Sequence, residues 1–273
     1  MDTIRTIVSE HVEWRSQIFK LAKADIIKTY SGAALGWAWA LVKPTIMIFV
    51  FWFAFTYGLR HGGDIDGYPF VLWMIPGFIA WSSYMSDMLT QGAGCIRKYK
   101  FLVTKMKFPV STIPSFISIS KFSIHLCLMV LVVLIFILMG HFPDVYWLQL
   151  PFYMLCMIAF FTAWGLFSSL LSAMSVDFLN LIKSVTQALF WLSGIMWDVN
   201  KINSPTVQFI MHFNPITYIA TGYRNCFIYK VWFWEQGERF AMFLIVYIVM
   251  LILSLWAYKK LIKEIPDVLY EMR

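Results

Sequence analysis

The stretch Ile113–Met139, IPSFISISKFSIHLCLMVLVVLIFILM, decides the fold. From Leu126 to its end it contains only apolar residues and one cysteine, Cys127. About 20 such residues are needed to cross ~30 Å of hydrocarbon, and a lipid-exposed chain must satisfy its own backbone polar groups by forming a helix. The stretch therefore predicts a membrane-spanning helix.

Five further stretches have a similar length and character. Of the 273 residues, 60% are hydrophobic and only 14% are charged, which is more apolar surface than a water-soluble domain can bury. We predict an all-α integral membrane protein with six spans: Leu41–Leu59, Pro69–Leu89, Ile113–Met139, Tyr146–Met174, Leu179–Trp197 and Phe240–Tyr258. One transmembrane domain then covers residues 1–273, with an interfacial helix and connector at 1–36, a six-span core at 37–259 and a tail at 260–273.

The distribution of Lys and Arg predicts the orientation, because short cytoplasmic segments carry an excess of both. Basic residues precede the first span, follow the second and follow the sixth: Arg5, Arg15, Lys20, Lys23 and Lys28; Arg97, Lys98, Lys100, Lys105 and Lys107; Lys259, Lys260 and Lys263. Both termini are therefore predicted to be cytoplasmic. These charges flank spans and form no separate basic domain, so we expect no nucleic-acid partner.

The segment before the first span has residues spaced by three and four: Ile4, Ile7, His11, Trp14, Ile18 and Leu21. This periodicity predicts an amphipathic helix. We expect it to lie on the membrane surface, with the apolar side chains of Ile4, Ile7, Trp14 and Ile18 toward the lipids. The alternative is a helix packed on a cytoplasmic partner.

The segment Gln91–Val110 has five basic residues and no acidic residue. It is either a docking element for a partner or a simple positively charged cytoplasmic loop, and its charge fits both.

Two short helices are predicted between the fifth and sixth spans. Asn214 before Pro215, and Ser204 before Pro205, are typical helix starts, because Asn and Ser cap free N–H groups and Pro fits the first turn. The segments are apolar enough to re-enter the outer leaflet from outside, if their ends are covered by protein or water. The alternative is an amphipathic hairpin on the outer surface.

Ionisable residues in spans are functional candidates, because lipid solvates charge poorly. Lys43 and Asp87 could pair across the first two spans, or Lys43 could extend to the membrane surface. In the third span one helical face carries polar groups, and we expect it to pack against other helices and not to line a proton path: Ser111, Ser115, Ser118, Lys121 and His125.

The second span carries an aromatic stripe at helical spacing: Phe70, Trp73, Trp81 and Tyr84, with Gly77 between them. Aromatic faces can stack on sugar rings, so these residues, Lys43 and Asp87 are candidates for a channel lining. Interfacial anchoring or packing explains the aromatic residues equally well.

Motifs for an enzyme centre are missing from the sequence. There is no G-x-x-x-x-G-K-[ST] loop, no H-E-x-x-H and no G-x-S-x-G. We expect no metal site and no cofactor in this chain, and if ATP is used, another chain must bind it.

Three motifs together resemble the membrane subunits of polysaccharide-type (ABC-2) ABC exporters. They are LGWAWALVKP at 35–44, KMKFP at 105–109 and FNPITYIA at 213–220, followed by Tyr223-Arg224 and an aromatic run at 231–234. Within that family they are most similar to wall teichoic acid translocation permeases. Lys43 departs from the neutral polar residue expected there.

The resemblance implies a homodimeric channel in a bacterial plasma membrane, with two copies of a separate ATPase that binds ATP and Mg²⁺. It implies that a coupling helix docks on that ATPase through the segment that contains Arg97, Lys98, Lys100, Lys105, Lys107, Phe108 and Pro109. It also implies re-entrant helices that include Asn214, Pro215, Tyr218, Tyr223 and Arg224. The implied substrate is a polyprenyl-diphosphate-linked polysaccharide, exported from the cytoplasm.

Other functions fit parts of the sequence. A capsule or O-antigen exporter would share the architecture, and a small-molecule exporter would share the spans. A membrane transferase acting on polyprenyl carriers would need clustered carboxylates or histidines, and Asp64 with Asp66 is the only close acidic pair outside the N-terminal segment.

Overall fold

The computed structural model describes residues 2–32, 34–59, 64–106 and 108–271, and this part of the chain is helical, without a strand. The α-helices are α1 Asp2–Glu13, α2 Arg15–Tyr30, α3 Trp39–Phe53, α4 Phe70–Ala80, α5 Cys95–Lys98, α6 Lys100–Met106, α7 Thr112–Leu138, α8 Leu150–Met174, α9 Val176–Leu192, α10 Pro205–His212, α11 Pro215–Arg224, α12 Gly237–Leu261 and α13 Ile265–Glu271. Short 3-10 turns lie at Gly36–Ala38, Val145–Gln149, Val199–Lys201 and Phe233–Gln236, and π-helical turns lie at Ala54–Leu59, Trp81–Met85, Met88–Gly92 and Asn225–Tyr229.

In the described residues, four helical stretches are long and apolar enough to cross a membrane: Gly36–Gly58, Thr112–Leu138, Val145–Met174 and Phe233–Leu261. The second predicted span falls on α4 and the π-helical turns that follow it. The fifth falls on α9, which has 17 residues. Its predicted end at Trp197 is wrong, because the chain leaves the helix after Leu192 and Gly194 adopts a positive φ of 66°.

The core lies around α7 and α8. Helix α8 packs on α12, α7 and α11, while α2 runs along α7. Helices α3 and α9 lie at the periphery and expose large apolar side chains, among them Phe49, Phe53, Leu181 and Trp191. We call the end of the molecule that holds α1, α2, α5, α6 and α13 the basic end, and the end that holds α10 and α11 the opposite end.

The N-terminal helix differs from its prediction in two respects. It is divided into α1 and α2 at Trp14, and the predicted lipid-facing stripe packs on protein: Ile18 is buried, and Ile7 and Trp14 contact the core. The reason is that α2 lies against α7, and His11 Nε2 is 2.8 Å from Ser115 Oγ. Ile4 is exposed and belongs to a different apolar face: Ile4, Val8, Val12, Phe19 and Ile27.

The polar face of α7, which we call the α7 stripe, is a packing face as predicted. Ser118 Oγ lies 2.7 Å from the Tyr84 hydroxyl and 2.9 Å from Thr162 Oγ1. His125 lies between Ser83 Oγ at 2.7 Å and the Tyr223 hydroxyl at 2.8 Å. The remaining members bond to other elements too: Ser111 to Glu10, Ser115 to His11 and Lys121 to Asp87. These bonds satisfy polar groups that lipid could not satisfy.

Candidate docking segment and translocation face

The first two basic residues of the predicted docking segment bond to other parts of the protein. Arg97 donates through Nε to the Ser172 carbonyl and through Nη2 to the Ala173 carbonyl at 3.0 Å. These carbonyls belong to the last turn of α8, where helix carbonyls have no partner within the helix and the macrodipole favours a cation. Arg97 therefore attaches the segment to α8.

Lys98, whose side chain is 39% exposed, belongs to a group of residues around the buried carboxylate of Asp25, which we call the Asp25 cluster. The carboxylate of Asp25 accepts bonds from Lys98 Nζ at 2.8 Å, the Tyr99 hydroxyl at 2.5 Å and Ser120 Oγ at 2.7 Å. Burial raises the pKa of Asp25, but these bonds and the ammonium charge outweigh it and hold the pKa below its ordinary value. The cluster joins α2, the α5–α6 segment and α7.

Helix α6 presents the outward surface of the segment. Leu102 and Val103 face inward, whereas Lys100, Phe101, Lys105 and Met106 are exposed. Phe108 is buried, with its ring 5.0 Å from that of Trp14, and Pro109 is half-buried. Lys107 lies outside the described residues. The Tyr270 hydroxyl of α13 donates to the Thr104 carbonyl at 2.7 Å and holds α6 from its other side.

A cavity of about 220 Å³ opens between α2, α3, the second predicted span and α7. Asp87 lies on its wall and pairs with Lys121 at 3.0 Å, and Gln91 donates to Asp87 at 2.9 Å. Asp87 therefore pairs with Lys121 and not, as predicted, with Lys43. The reason is that α7 packs directly on the turns around Asp87. Lys43 lines the same cavity, and so does Ser82, whose buried Oγ has no hydrogen-bond partner.

The predicted aromatic stripe lies inside the protein. Trp73 and Tyr84 are fully buried, and Phe70 and Trp81 are nearly so. Of the four, Trp81 contacts the peripheral helix α9, with its ring 5.8 Å from that of Phe190. Phe51 of α3 stacks on Phe190 at 5.6 Å. Aromatic side chains of α3, the second predicted span and α9 thus form one cluster.

Sequence reasoning missed a polar row on α9, which we call the α9 stripe: Asp177, Asn180, Ser184 and Gln187. The spacings of three, four and three place the four residues on one helical face, and all four are exposed. In the described part of the chain, the only hydrogen bond of their side chains is that of Ser184, which donates to the carbonyl of Asn180 in its own helix. The same periodicity that revealed the α7 stripe could have revealed this one.

The two predicted capped helices at the opposite end are confirmed as α10 and α11. Ser204 Oγ accepts from the Val207 N–H at 3.5 Å, and Asn214 Oδ1 accepts from the Ile216 N–H at 2.9 Å, with Pro205 and Pro215 in the first turns. Tyr218 stacks on Phe243 of α12 at 4.7 Å. Helix α11 passes close to α8 at Gly222, and this approach requires a glycine. A Cβ atom at position 222 would lie only 2.2 Å from the Tyr153 ring.

Arg224, at the end of α11, is 2% exposed and joins three elements. Its guanidinium donates to the carbonyls of Gly194 at 2.8 Å, Ile195 and Trp73 at 3.3 Å, and lies 3.7 Å from the centroid of the Trp73 ring. Trp73 Nε1 in turn donates to the Tyr229 hydroxyl at 2.7 Å. Arg224 therefore fastens α11 to α4 and to the turn that follows α9.

Comparison of the sequence with known proteins identifies the family. The sequence profile described as "ABC-2 type transporter" matches residues 16–228. The chain belongs to the ABC-2 type transporter family. Members of this family are membrane permeases that work with a separate ATP-binding subunit, so the family prediction is confirmed at this level. The chain is also similar to a protein of Myxococcus xanthus named O-antigen export system permease protein RfbA, with 24% identity over 225 residues, 81% of this chain and 84% of the relative.

Proposed function

We propose that this ABC-2 permease is the channel-forming subunit of an ATP-driven exporter of a lipid-linked polysaccharide. In this proposal the chain has six spans in a bacterial plasma membrane, both termini and the basic end face the cytoplasm, and α10 and α11 re-enter the outer leaflet. The observation that carries the proposal is the α5–α6 segment. It consists of two short helices between two proposed spans. One side is bonded to the rest of the protein and the other is exposed, which is the geometry needed to transmit a movement of a soluble ATPase.

The fixing contacts give the docking proposal its mechanical basis. Arg97 attaches the segment to α8, the Asp25 cluster attaches it to α2 and α7, and Tyr270 attaches it to α13. Displacement of α6 would therefore reach four helices together: α2, α7, α8 and α13. Docking itself is assigned to the exposed side chains of Lys100, Phe101, Lys105 and Met106, with ATP and Mg²⁺ bound by the partner.

The translocation path is proposed to lie between two copies of this chain, along α3 and α9. The exposed row of polar groups on α9 would be costly against lipid, whereas it suits a water-filled passage. Next to this row, the half-buried rings of Phe51 and Phe190, which pack on the buried Trp81, are proposed to contact sugar rings. Lys43, which lines the cavity between α3 and α7, is proposed to bind the diphosphate of the carrier lipid.

Three polymers are candidates for the substrate in this proposal. The named relative favours an O-antigen-like polysaccharide. Wall teichoic acid is supported by the motifs around Gly36, Phe108 and Asn214, with the departure at Lys43. A capsule polysaccharide fits the same architecture.

Copurification with the cognate ATPase tests the docking segment. Phe101→Glu and Lys105→Glu together should abolish assembly and coupled ATP hydrolysis, because they reverse charge and remove apolar contact on the exposed surface. Lys259→Glu and Lys263→Glu provide a matched control on basic residues outside the segment. Normal assembly of the α6 double variant would contradict the proposal.

A further inference from the structure

A polar cleft at the opposite end has no role in the function described so far. Six elements meet there: α8, the 3-10 turn Val199–Lys201, α10, the stretch from α11 into the following π-helical turn, the 3-10 turn Phe233–Gln236, and the start of α12. Its lining is rich in amide, hydroxyl and guanidinium groups: Tyr153, Asn200, His212, Tyr218, Asn225, Gln236 and Arg239.

The cleft contains polar atoms that the protein leaves without partners. In the described part of the chain six buried side-chain polar atoms lack a hydrogen bond, and three of them line this cleft: His212 Nε2, the Tyr218 hydroxyl and Asn225 Oδ1. Asn225 is 1% exposed, and Tyr218 is 7% exposed. Buried polar atoms without partners are rare, because each costs about 1–3 kcal/mol. Their concentration in one place indicates a bound polar group.

The amide of Asn225 gives the same result in either orientation. Its Nδ2 lies 3.4 Å from the Tyr153 hydroxyl and 3.1 Å from Gln236 Oε1, and its Oδ1 has no partner. Exchanging the oxygen and nitrogen of Asn225, together with those of Gln236, would leave an N–H₂ group without a partner instead. One hydrogen-bonding position of Asn225 is therefore open to a ligand in both cases.

The size of the cleft admits more than a water molecule. The enclosed part holds about 10 Å³, room for one water-sized group. It continues into an open groove of about 540 Å³ that shares Asn200, Asn225, Gln236 and Arg239 with it. A hydroxyl could occupy the enclosed part while the rest of a larger molecule lies in the groove.

The chemistry of the lining favours hydroxyl groups over phosphate. Phosphate needs donors alone, but this cleft mixes donors and acceptors, and Arg239 is already bonded to Asn200 Oδ1 at 2.7 Å. A sugar hydroxyl both donates and accepts. Tyr229, which lines the groove, adds an aromatic side chain against which the C–H side of a sugar ring can pack.

We infer that this cleft is a binding site for a neutral saccharide unit at the exit side of the permease. Asn225, Tyr218 and His212 bond one hydroxyl in the enclosed part, and Asn200 and Gln236 bond others in the groove. The inference rests on the proposed function in so far as the saccharide is a unit of the exported polymer.

The test measures saccharide binding to the full chain in lipid nanodiscs by saturation-transfer NMR. The probes are glucose, galactose, mannose, rhamnose and N-acetylglucosamine, with inorganic phosphate as a separate arm. At least one sugar should bind, and Asn200→Ala and Gln236→Ala should each weaken that binding about fivefold, the effect of one lost hydrogen bond. Both residues lie at the solvent-accessible edge of the cleft, so these variants should fold.

Asn203→Ala is the matched control, since it removes an exposed amide from the same connecting segment outside the cleft. Failure of every sugar to bind, binding that both cleft variants leave unchanged, or binding of phosphate alone would overturn the inference. Assembly and ATP hydrolysis with the ATPase are measured on the same preparation. Normal assembly without sugar binding would refute the cleft alone, whereas lost assembly of the unmodified chain would refute the proposed function.

Discussion

Helices α7 and α9 each carry a row of polar residues at helical spacing, but the structure uses the two rows differently. On α7, Ser118 and Lys121 bond to side chains of other helices in the same chain. On α9, Asn180, Ser184 and Gln187 face outward from the protomer. Spacing alone shows that a face is polar. Packing decides whether that face holds helices together or is available to a second copy, water or substrate.

The largest effect on stability is expected at the ion pair of the α7 stripe. Asp87→Ala leaves the Lys121 ammonium, whose side chain is 2% exposed, without its counter-ion. Removing one partner of a buried pair costs ~3–5 kcal/mol, and the partial exposure of Asp87 reduces our expectation to about 2–3 kcal/mol. Thermal unfolding of the purified chain in detergent measures the loss.

The double variant Asp87→Ala/Lys121→Met tests whether the loss of stability comes from the unpaired charge of Lys121. It removes both charges and should recover most of the stability lost in Asp87→Ala. Asp64→Ala, which removes an exposed carboxylate, is the control and should change little. Equal stability of Asp87→Ala and the unmodified chain would show that the pair does not hold α7 in place.

Changes in the α9 stripe should affect export strongly and stability little. Replacing Asn180, Ser184 and Gln187 together by Leu should lower export at least about tenfold, because a polar wall of the passage is lost, equivalent to ~1.4 kcal/mol. Unfolding of the chain should change by less than about 1 kcal/mol, since exposed substitutions have small effects. Export in membrane vesicles and thermal unfolding are measured on the same variant.

Helix α12 supplies the control for this triple change. Ile245, Val249 and Ile252 are exposed and apolar, and replacing them together by Leu keeps a lipid-compatible surface. This variant should export normally. If the α9 variant also exports normally, its polar face does not line the passage.

The Asp25 cluster should make a smaller, pH-dependent contribution. Its lowered pKa means that the folded state binds the proton less readily than the unfolded state, where the value is about 3.9. The stabilisation is therefore complete above about pH 4 and is lost as the pH falls through the folded-state value. Asp25→Asn should cost about 1–2 kcal/mol at pH 7, and this difference should shrink below pH ~4.

Urea unfolding at pH 7 and at pH 3.5 measures that difference. Glu13→Gln, which neutralises an exposed carboxylate on α1, is the control and should show no such dependence. A penalty for Asp25→Asn that is equal at both pH values would mean that the Asp25 charge does not stabilise the fold.

Periodicity and capping anticipated much of this fold, because both depend on residues near in sequence. The long apolar stretch that contains Leu126 predicted α7, and Asn214 with Pro215 predicted the start of α11. Hydropathy could not place Asp25, since its partners Lys98 and Ser120 are about 70 to 95 residues away. It also could not show that Arg97 turns inward to the end of α8, because a basic loop residue has the same sequence character whether it is exposed or bonded.

The smallest predicted effect compares one chemical change at two places. Ser118→Ala removes a hydroxyl that bonds Tyr84 and Thr162 between helices, and it should cost about 1 kcal/mol because both partners stay buried. Ser184→Ala removes a hydroxyl that bonds only its own helix, so the cost should stay within ~0.5 kcal/mol. Thermal unfolding of the two variants side by side gives the difference directly. Equal losses would mean that Ser184 is packed as Ser118 is, and the α9 stripe would then be a second packing face and not a wall of the passage.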